Sequence, residues 1–568
     1  MNLLPQVKKI ETKTGVLKTP YIAPFKGVID ERLAKAVAKL PTGENGAKLV
    51  INTKGGTSEK YTLKIEENTI EITSEGLNGV FYGIQTLKQI LKKKDIPCLL
   101  IEDEPDFEYR GFYHDITRGK VPTVDTLKGL VDTMAYYKMN SLQLYVEHTF
   151  EFREIPELNE KTGYITAEEI KELDEYCYEN FVDFIPSIAT FGHMYEILEQ
   201  EKYKHLRVAK NYKPTKNFWQ ERLAHHTIDP LNEESFELVK SLIDQYYPLF
   251  RTDKFNICGD ETFDLKNYGE GFDTGKLYID FVKKIINNLE SKGKKIMMWA
   301  DVLLDHPETI EVLPDDVYCL NWDYLPDVKY EKIEQLAKMG KKQIVCPGTW
   351  TWSRLCERID RAELNITRTI DCGYANGAIG VLNTNWGDYA NHASIESSLY
   401  GLVLGAAKSW NVKTELGYEY DEAVNEIVYG GENAVAMLRK LSDCHNLITV
   451  NLSTFWRKYY DLRYGISFEG EYVITRYAIE KAKAGCLELI GKLKSAVWEN
   501  EEAREEFIIC AEGVCVIAQL VGKMYGIENE TVIEAKSWLS KFKEKWLLKN
   551  KLSEFPVTEE MILWIDSM

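Results

Sequence analysis

The sequence holds no run of consecutive apolar residues approaching the roughly 18 that a membrane span requires. Its opening stretch, MNLLPQVKKIETKTG, lacks the apolar core of a secretion signal. No CxxC pair and no Cys/His ligand spacing occurs, and eleven cysteines scattered from Cys98 to Cys515 read as reduced thiols rather than a disulfide framework. These absences lead us to expect a cytoplasmic location, no membrane partner and no metal or other cofactor. No long Lys/Arg run offsets the balance of 70 basic against 89 acidic residues, net −19, so the field repels polyanions and nucleic acid is not an expected partner. Strand-then-GxGxxG, a P-loop, internal repeats and low-complexity segments are all missing, which removes the usual nucleotide-binding reading of an α/β chain.

What is present is an ordinary globular composition, 44% hydrophobic and 28% charged over 568 residues, enough for about three units. Residues 1–103 read as a small α+β domain. KLVINT precedes the alternating YTLKIEENTIEIT, whose Glu-Glu-Asn turn predicts a hairpin, and GLNGVFYGIQTLKQILKKK has helical periodicity. The acidic IEDEPDFE with Pro105 marks a boundary. From 104 to 412, eight short apolar runs alternate with helix-period segments: GFYHDIT, SLQLYVE, DFIPSIA, KFNICGDE, KKIMMWADV, VYCLNWDY, KQIVCPGTW and AIGVLNTNWGD. Eight strand-then-helix units in about 300 residues predict an α/β fold of the (β/α)8 TIM barrel kind. Residues 413–568 lose strand patterns and read as a C-terminal helical region.

A barrel carries its chemistry at the C-terminal ends of its strands. Strand one ends near Asp115 and Arg118, two near Glu147 and His148, three leads to His193, and four ends at Asp260 and Glu261. Strand five ends at Trp299 and Asp301, six at Trp322 and Asp323, seven at Trp350, and eight at Trp386 and Asp388. Taken singly, adjacent acids after a strand suit a helix cap, a lone His suits a structural hydrogen bond, and a lone Trp suits packing. Together, aromatic walls with interspersed carboxylates suit a carbohydrate, whose rings offer apolar CH faces edged by hydroxyls. Two neighbouring carboxylates also raise the cost of ionising both, favouring an acid beside an anion.

Over about residues 75 to 410 the chain resembles the β-N-acetylhexosaminidases of glycoside hydrolase family 20. GVFYGIQTLKQIL, EDEPDFEYRGFYHDITR, PSIATFGH and the ICGDE segment carry the resemblance. It implies exo-acting, retaining hydrolysis of terminal β-linked GlcNAc or GalNAc in small glycans, with the substrate's own acetamide as nucleophile. On this resemblance Glu261 is the general acid and base, and Asp260 orients and stabilises the acetamide. Arg118 holds sugar hydroxyls and Asp388 receives outer ones. Trp299, Trp322 and Trp386 enclose acetamide and ring with Trp350 nearby, and His193 with Glu147 forms a polar relay. Three positions depart from the family's pattern: Glu147-His148 replaces two aspartates, Asp388 replaces a Glu, and Thr351 stands where a tyrosine donor to the acetamide is expected. A catalytically weak carbohydrate-binding barrel, or an ordinary retaining glycosidase using Asp301 or Asp388 as nucleophile, remain the alternatives at this level.

Overall fold

The computed structural model describes residues 1–27, 29–211, 226–388, 391–448, 452–465 and 473–568. In the N-terminal domain, the alternation predicted as a hairpin pairs β3 (Tyr61–Ile65) with β4 (Thr69–Gly76) antiparallel. Sequence reading found three strands there, and the sheet has five. β1 (Lys9–Val16) and β5 (Pro97–Asp103) extend it on one side and β2 (Lys48–Gly56) on the other, in the order β1-β5-β3-β4-β2. β1 was illegible because its residues are almost all exposed, so it has no buried face to set a period. The helix Leu77–Ile90 is buried nearly all round, because the sheet covers one side and barrel residues Ala135, Phe181 and Trp410 join the same core. Gly83 permits that close approach: a Cβ there would stand 2.7 Å from Ile72 Cγ2.

The eight expected strands form one parallel sheet. They are β6 (Tyr109–Asp115), β7 (Ser141–Tyr145), β8 (Asp183–Ile185), β9 (Lys254–Asn256), β10 (Lys295–Trp299), β11 (Tyr318–Trp322), β12 (Lys342–Cys346) and β13 (Gly380–Asn385). β13 pairs with β6, and a Ser187–Asn256 bridge with Asn256 N–H donating to Pro186 O at 2.9 Å closes β8 onto β9, so the barrel has no free edge. Its interior is a core of its own, built from Tyr109, Tyr113, Ile185, Met297, Leu320, Ile344 and Leu382 and topped by Trp299 and Trp386. Buried amides pair within it: Asn256 Nδ2 donates to Gln143 Oε1, and Asn321 Nδ2 to Gln343 Oε1, each at 2.8 Å.

The region after the barrel is helical, as its periodicity predicts, with the long helices Arg476–Ser495 and Glu501–Met524 at its centre. The second is long and apolar enough to cross a membrane, but 89% of its most apolar window is buried by the surrounding helices and barrel. The module packs against loops of the barrel's C-terminal face. Lys551 N–H donates to Val121 O at 2.9 Å, His392 Nε2 lies 2.8 Å from Thr558 Oγ1, and Cys510 Sγ lies 3.0 Å from Leu355 O.

Candidate active site

β9 ends at Asn256, two residues earlier than the apolar run suggests, because Cys258 (φ +56°), Gly259 (φ +82°) and Glu261 (φ +48°) take left-handed backbone conformations. That coil, rather than strand alternation, turns the side chains of both Asp260 and Glu261 into the same cavity. His193, Trp350 and Asp388 share the positive φ, at +57°, +56° and +49°. Non-glycine residues rarely adopt this region, and its concentration at one barrel mouth is strain of the kind that functional sites carry. The helix-cap reading of the acid pair fails, since the short 3-10 helix after it, Phe263–Tyr268, begins with no side-chain cap.

His193 joins the acids. Its Nε2 lies 3.1 Å from Asp260 Oδ2 and 3.2 Å from Glu261 Oε2, and its Nδ1 lies 3.4 Å from Glu147 Oε1. Burial alone lowers the pKa of an imidazole, but Asp260, Glu147 and Glu261 outweigh it and raise His193 well above its ordinary value, so it stays protonated between them. Glu147 also accepts from Tyr145 Oη at 2.7 Å and faces Arg118 at 3.6 Å. Burial opposes ionisation there, yet hydrogen bonding from His193 and the charge of Arg118 hold that carboxyl far below the usual range. Arg118 pairs with Asp115 at 3.0 Å, reaches Asp388 at 3.8 Å and stacks over Tyr145 and Trp386. His148 is buried in the second layer, with its Nδ1 4.0 Å from Glu147 Oε2.

The cavity above these groups has a volume of about 540 Å³ and is lined by Arg118, His193, Asp260, Glu261, Trp299, Trp322, Trp350, Trp386 and Asp388. Nine of the ten sequence-predicted residues therefore share one wall system, and the tenth, Glu147, stands behind Arg118 and His193. Sequence reading missed Tyr324 and Trp352, which line the same space. Their signal was proximity: Tyr324 lies two positions after Trp322 and Trp352 two after Trp350, and each stacks near that partner, at 5.3 and 4.7 Å between ring centroids. Thr351 is buried outside the cavity, hydrogen-bonded to Thr349 and Asn385, so it cannot stand in for a tyrosine donor. Tyr324 Oη instead accepts from Trp386 Nε1 at 2.7 Å beside the cavity. Among the described residues, the buried indole N–H groups of Trp299 and Trp350 have no acceptor, which leaves donors for a ligand.

His193, Asp260 and Glu261 place ligand-type atoms within 4.8 Å of one another. Their spacing is that of a hydrogen-bonded ion cluster, in which the protonated imidazole already sits between the two carboxyl groups.

A closed barrel with an acidic, tryptophan-walled cavity at its strand ends defines the class: TIM-barrel proteins built around a sugar-sized pocket. Residues 107–355 match "Glycosyl hydrolase family 20, catalytic domain" and residues 1–104 match "Glycosyl hydrolase family 20, domain 2", together well over half of the sequence, and the chain belongs to glycoside hydrolase family 20. It is similar to a beta-hexosaminidase of Porphyromonas gingivalis, 26% identical over 284 residues that cover 43% of this chain and 36% of that one. The chain spans about a third of the length of the first curated relatives it matches. In fold it is similar to a chitobiase of Flavobacterium johnsoniae (TM-score 0.62, 18% identity, 99% of each chain) and to an exo beta-N-acetylglucosaminidase of Vibrio harveyi (TM-score 0.59, 18% identity, 74% of this chain and 75% of that one).

Proposed function

We propose that this chain is an exo-acting, retaining β-N-acetylhexosaminidase that releases terminal GlcNAc or GalNAc from small glycans by substrate-assisted hydrolysis. The observation that carries this reading is the pair Asp260 and Glu261, both on one protonated His193 and both open to a cavity walled by tryptophan. In the first step the acetamide oxygen forms a bond to the anomeric carbon as the glycosidic C–O bond breaks, and Glu261 gives its proton to the leaving oxygen. Asp260 faces the acetamide N–H and stabilises the charge that develops on the oxazolinium ring. In the second step Glu261 takes a proton from water, whose oxygen attacks the anomeric carbon and reopens the ring.

The positions of the other carboxyls support this over an enzyme nucleophile. Asp301 does not line the cavity, and its Oδ2 is occupied by the Glu261 main-chain N–H at 3.0 Å. Asp388 faces the cavity beside Arg118, which suits it to hydroxyls of the sugar. Tyr324 takes the part of donor to the acetamide oxygen, since it lines the cavity and its hydroxyl, which accepts from Trp386 Nε1, still carries a hydrogen of its own. The eleven free thiols, ten of them buried, support a reducing, cytoplasmic setting.

Turnover of an aryl β-N-acetylglucosaminide beside the matching β-glucoside tests the reading. We expect only the acetamido substrate to turn over. Comparable rates on both would transfer the nucleophile to the protein.

A further inference from the structure

β9 and β10 are neighbours in the barrel, and Asp301, two residues past the end of β10 and first in the short helix Asp301–Asp305, reaches across to the acid on the turn that follows β9. Asp301 Oδ2 accepts the main-chain N–H of Glu261 at 3.0 Å. Glu261 sits at φ +48°, a conformation that a non-glycine residue keeps only when its surroundings impose it. The opposite side of the same turn is fixed by Gly192, where a Cβ would meet Asp260 O at 2.3 Å and Glu261 O at 3.4 Å. The Glu261 peptide is thus held between a backbone without a side chain and a carboxyl that binds its N–H. The other carboxyl oxygen of Asp301, Oδ1, is buried and has no hydrogen-bond partner among the described residues, so the Glu261 N–H is the contact this side chain makes to another residue of the turn.

We propose that Asp301 is a positioning residue for the general acid: its acceptor oxygen holds Glu261 in the left-handed turn that aims the carboxyl at the glycosidic oxygen. The proposal rests on the reading of Glu261 as acid and base. Charge adds a second consequence. The groups facing Asp301 are Asp260 and Glu261 on the β9 turn and Tyr278 on the helix Thr274–Glu290, with His193 bridging the two acids. Burial, and then the charge of Asp260, push the Asp301 carboxyl up to about 7. Below that pH it is neutral and adds nothing to the pair. Above it, the new negative charge resists loss of the proton from Glu261, which extends the range in which the acid works.

The experiment compares Asp301→Ala, Asp301→Asn and Glu261→Gln in the full chain, with kcat and KM on an aryl β-N-acetylglucosaminide and kcat/KM from pH 4 to 9. Asp301→Ala should lower kcat about 10²-fold, the cost of a misplaced reacting group, with KM within about threefold. Asp301→Asn keeps an acceptor oxygen and should hold kcat within about fivefold at pH 6, while its alkaline limb of kcat/KM moves to lower pH because the supporting charge is gone. A purely structural role would leave that limb in place. If Asp301→Ala does not fold, Asp301→Asn decides alone: a lowered limb with kcat kept supports the proposal, and an unmoved limb or a 10²-fold loss of kcat overturns it. Unchanged kcat in a folded Asp301→Ala, or a loss confined to KM, also overturns it. Glu261→Gln separates the two levels. Full activity in that variant removes the acid assignment itself, whereas an inactive Glu261→Gln beside an indifferent Asp301→Ala removes only the positioning role.

Discussion

The two ends of the barrel both bury charge, and they balance it in opposite ways. At the N-terminal end, where the first domain docks, Lys138 pairs with Asp103 at 2.9 Å and Arg110 with Glu59 at 2.6 Å. Tyr61 Oη and Trp410 Nε1 complete the shell of Asp103 at 2.7 and 3.0 Å. Two cations meet two anions, and no charge is left over. At the C-terminal end, Asp115, Glu147, Asp260, Glu261 and Asp388 gather on Arg118 and His193, Asp301 adds a further carboxyl facing Asp260 and Glu261, and Lys120 near Asp115 with Lys329 and Lys332 on the cavity wall offset only part of that charge. Local imbalance sets protonation states apart: against burial, the surrounding carboxylates drive His193 up and the cations His193 and Arg118 hold Glu147 down, while burial and the charge of Asp260 lift Asp301 to about 7. Matched burial makes a joint, and unmatched burial makes groups that exchange protons at working pH.

The largest effect that separates the ends is expected from Glu261→Gln, which keeps shape and removes the transferable proton. Loss of general acid catalysis should lower kcat on natural glycans by roughly 10³-fold, within the usual 10² to 10⁴, while isothermal titration shows sugar binding retained. Aryl substrates with good leaving groups should lose less in the first step. Lys138→Ala acts at the other end. Leaving Asp103 buried without its ammonium should cost about 3–5 kcal/mol of stability, read as a lowered denaturant midpoint, with kcat per folded molecule unchanged.

A smaller difference between the two ends should appear with pH. His193 has its pKa raised in the folded state, so the stability it adds is complete below the unfolded value of about 6.5 and fades as pH rises toward the folded one. His193→Gln should therefore lower Tm most at pH 5 to 6, and the difference from the parent chain should shrink toward pH 9. Lys138→Ala should show no such shrinkage toward alkaline pH, since burial draws the Lys138 ammonium below its ordinary value, a shift of the opposite sign to that of His193.

The barrel was legible because each strand is a short apolar run that ends in a polar or aromatic residue, as NICGDE and VLNTNWGD do. Strand-end logic then brought Arg118, His193, Trp299 and Trp386 together across nearly 270 residues of sequence, counted from 118 to 386. What escaped was set by loop conformation. Tyr324 and Trp352 enter the cavity from irregular segments with no period to read, and the turn at Cys258, Gly259 and Glu261 depends on φ values that no residue type there announces except Gly259. The exposed strand β1 escaped for the converse reason, having almost no buried side chain.

In the proposed reaction the substrate's acetamide, held by Asp260, is the nucleophile. Measuring inhibition by a thiazoline mimic of the oxazoline against free GlcNAc, in the parent chain and in Asp260→Asn, tests it most directly. We predict that the thiazoline binds at least about 10²-fold tighter than GlcNAc, as transition-state-like species do, and that Asp260→Asn loses most of that preference because the charge facing the cationic ring is gone. Equal binding of the two ligands, together with a covalent glycosyl-enzyme trapped on Asp388 or any other carboxylate of the chain, would contradict it.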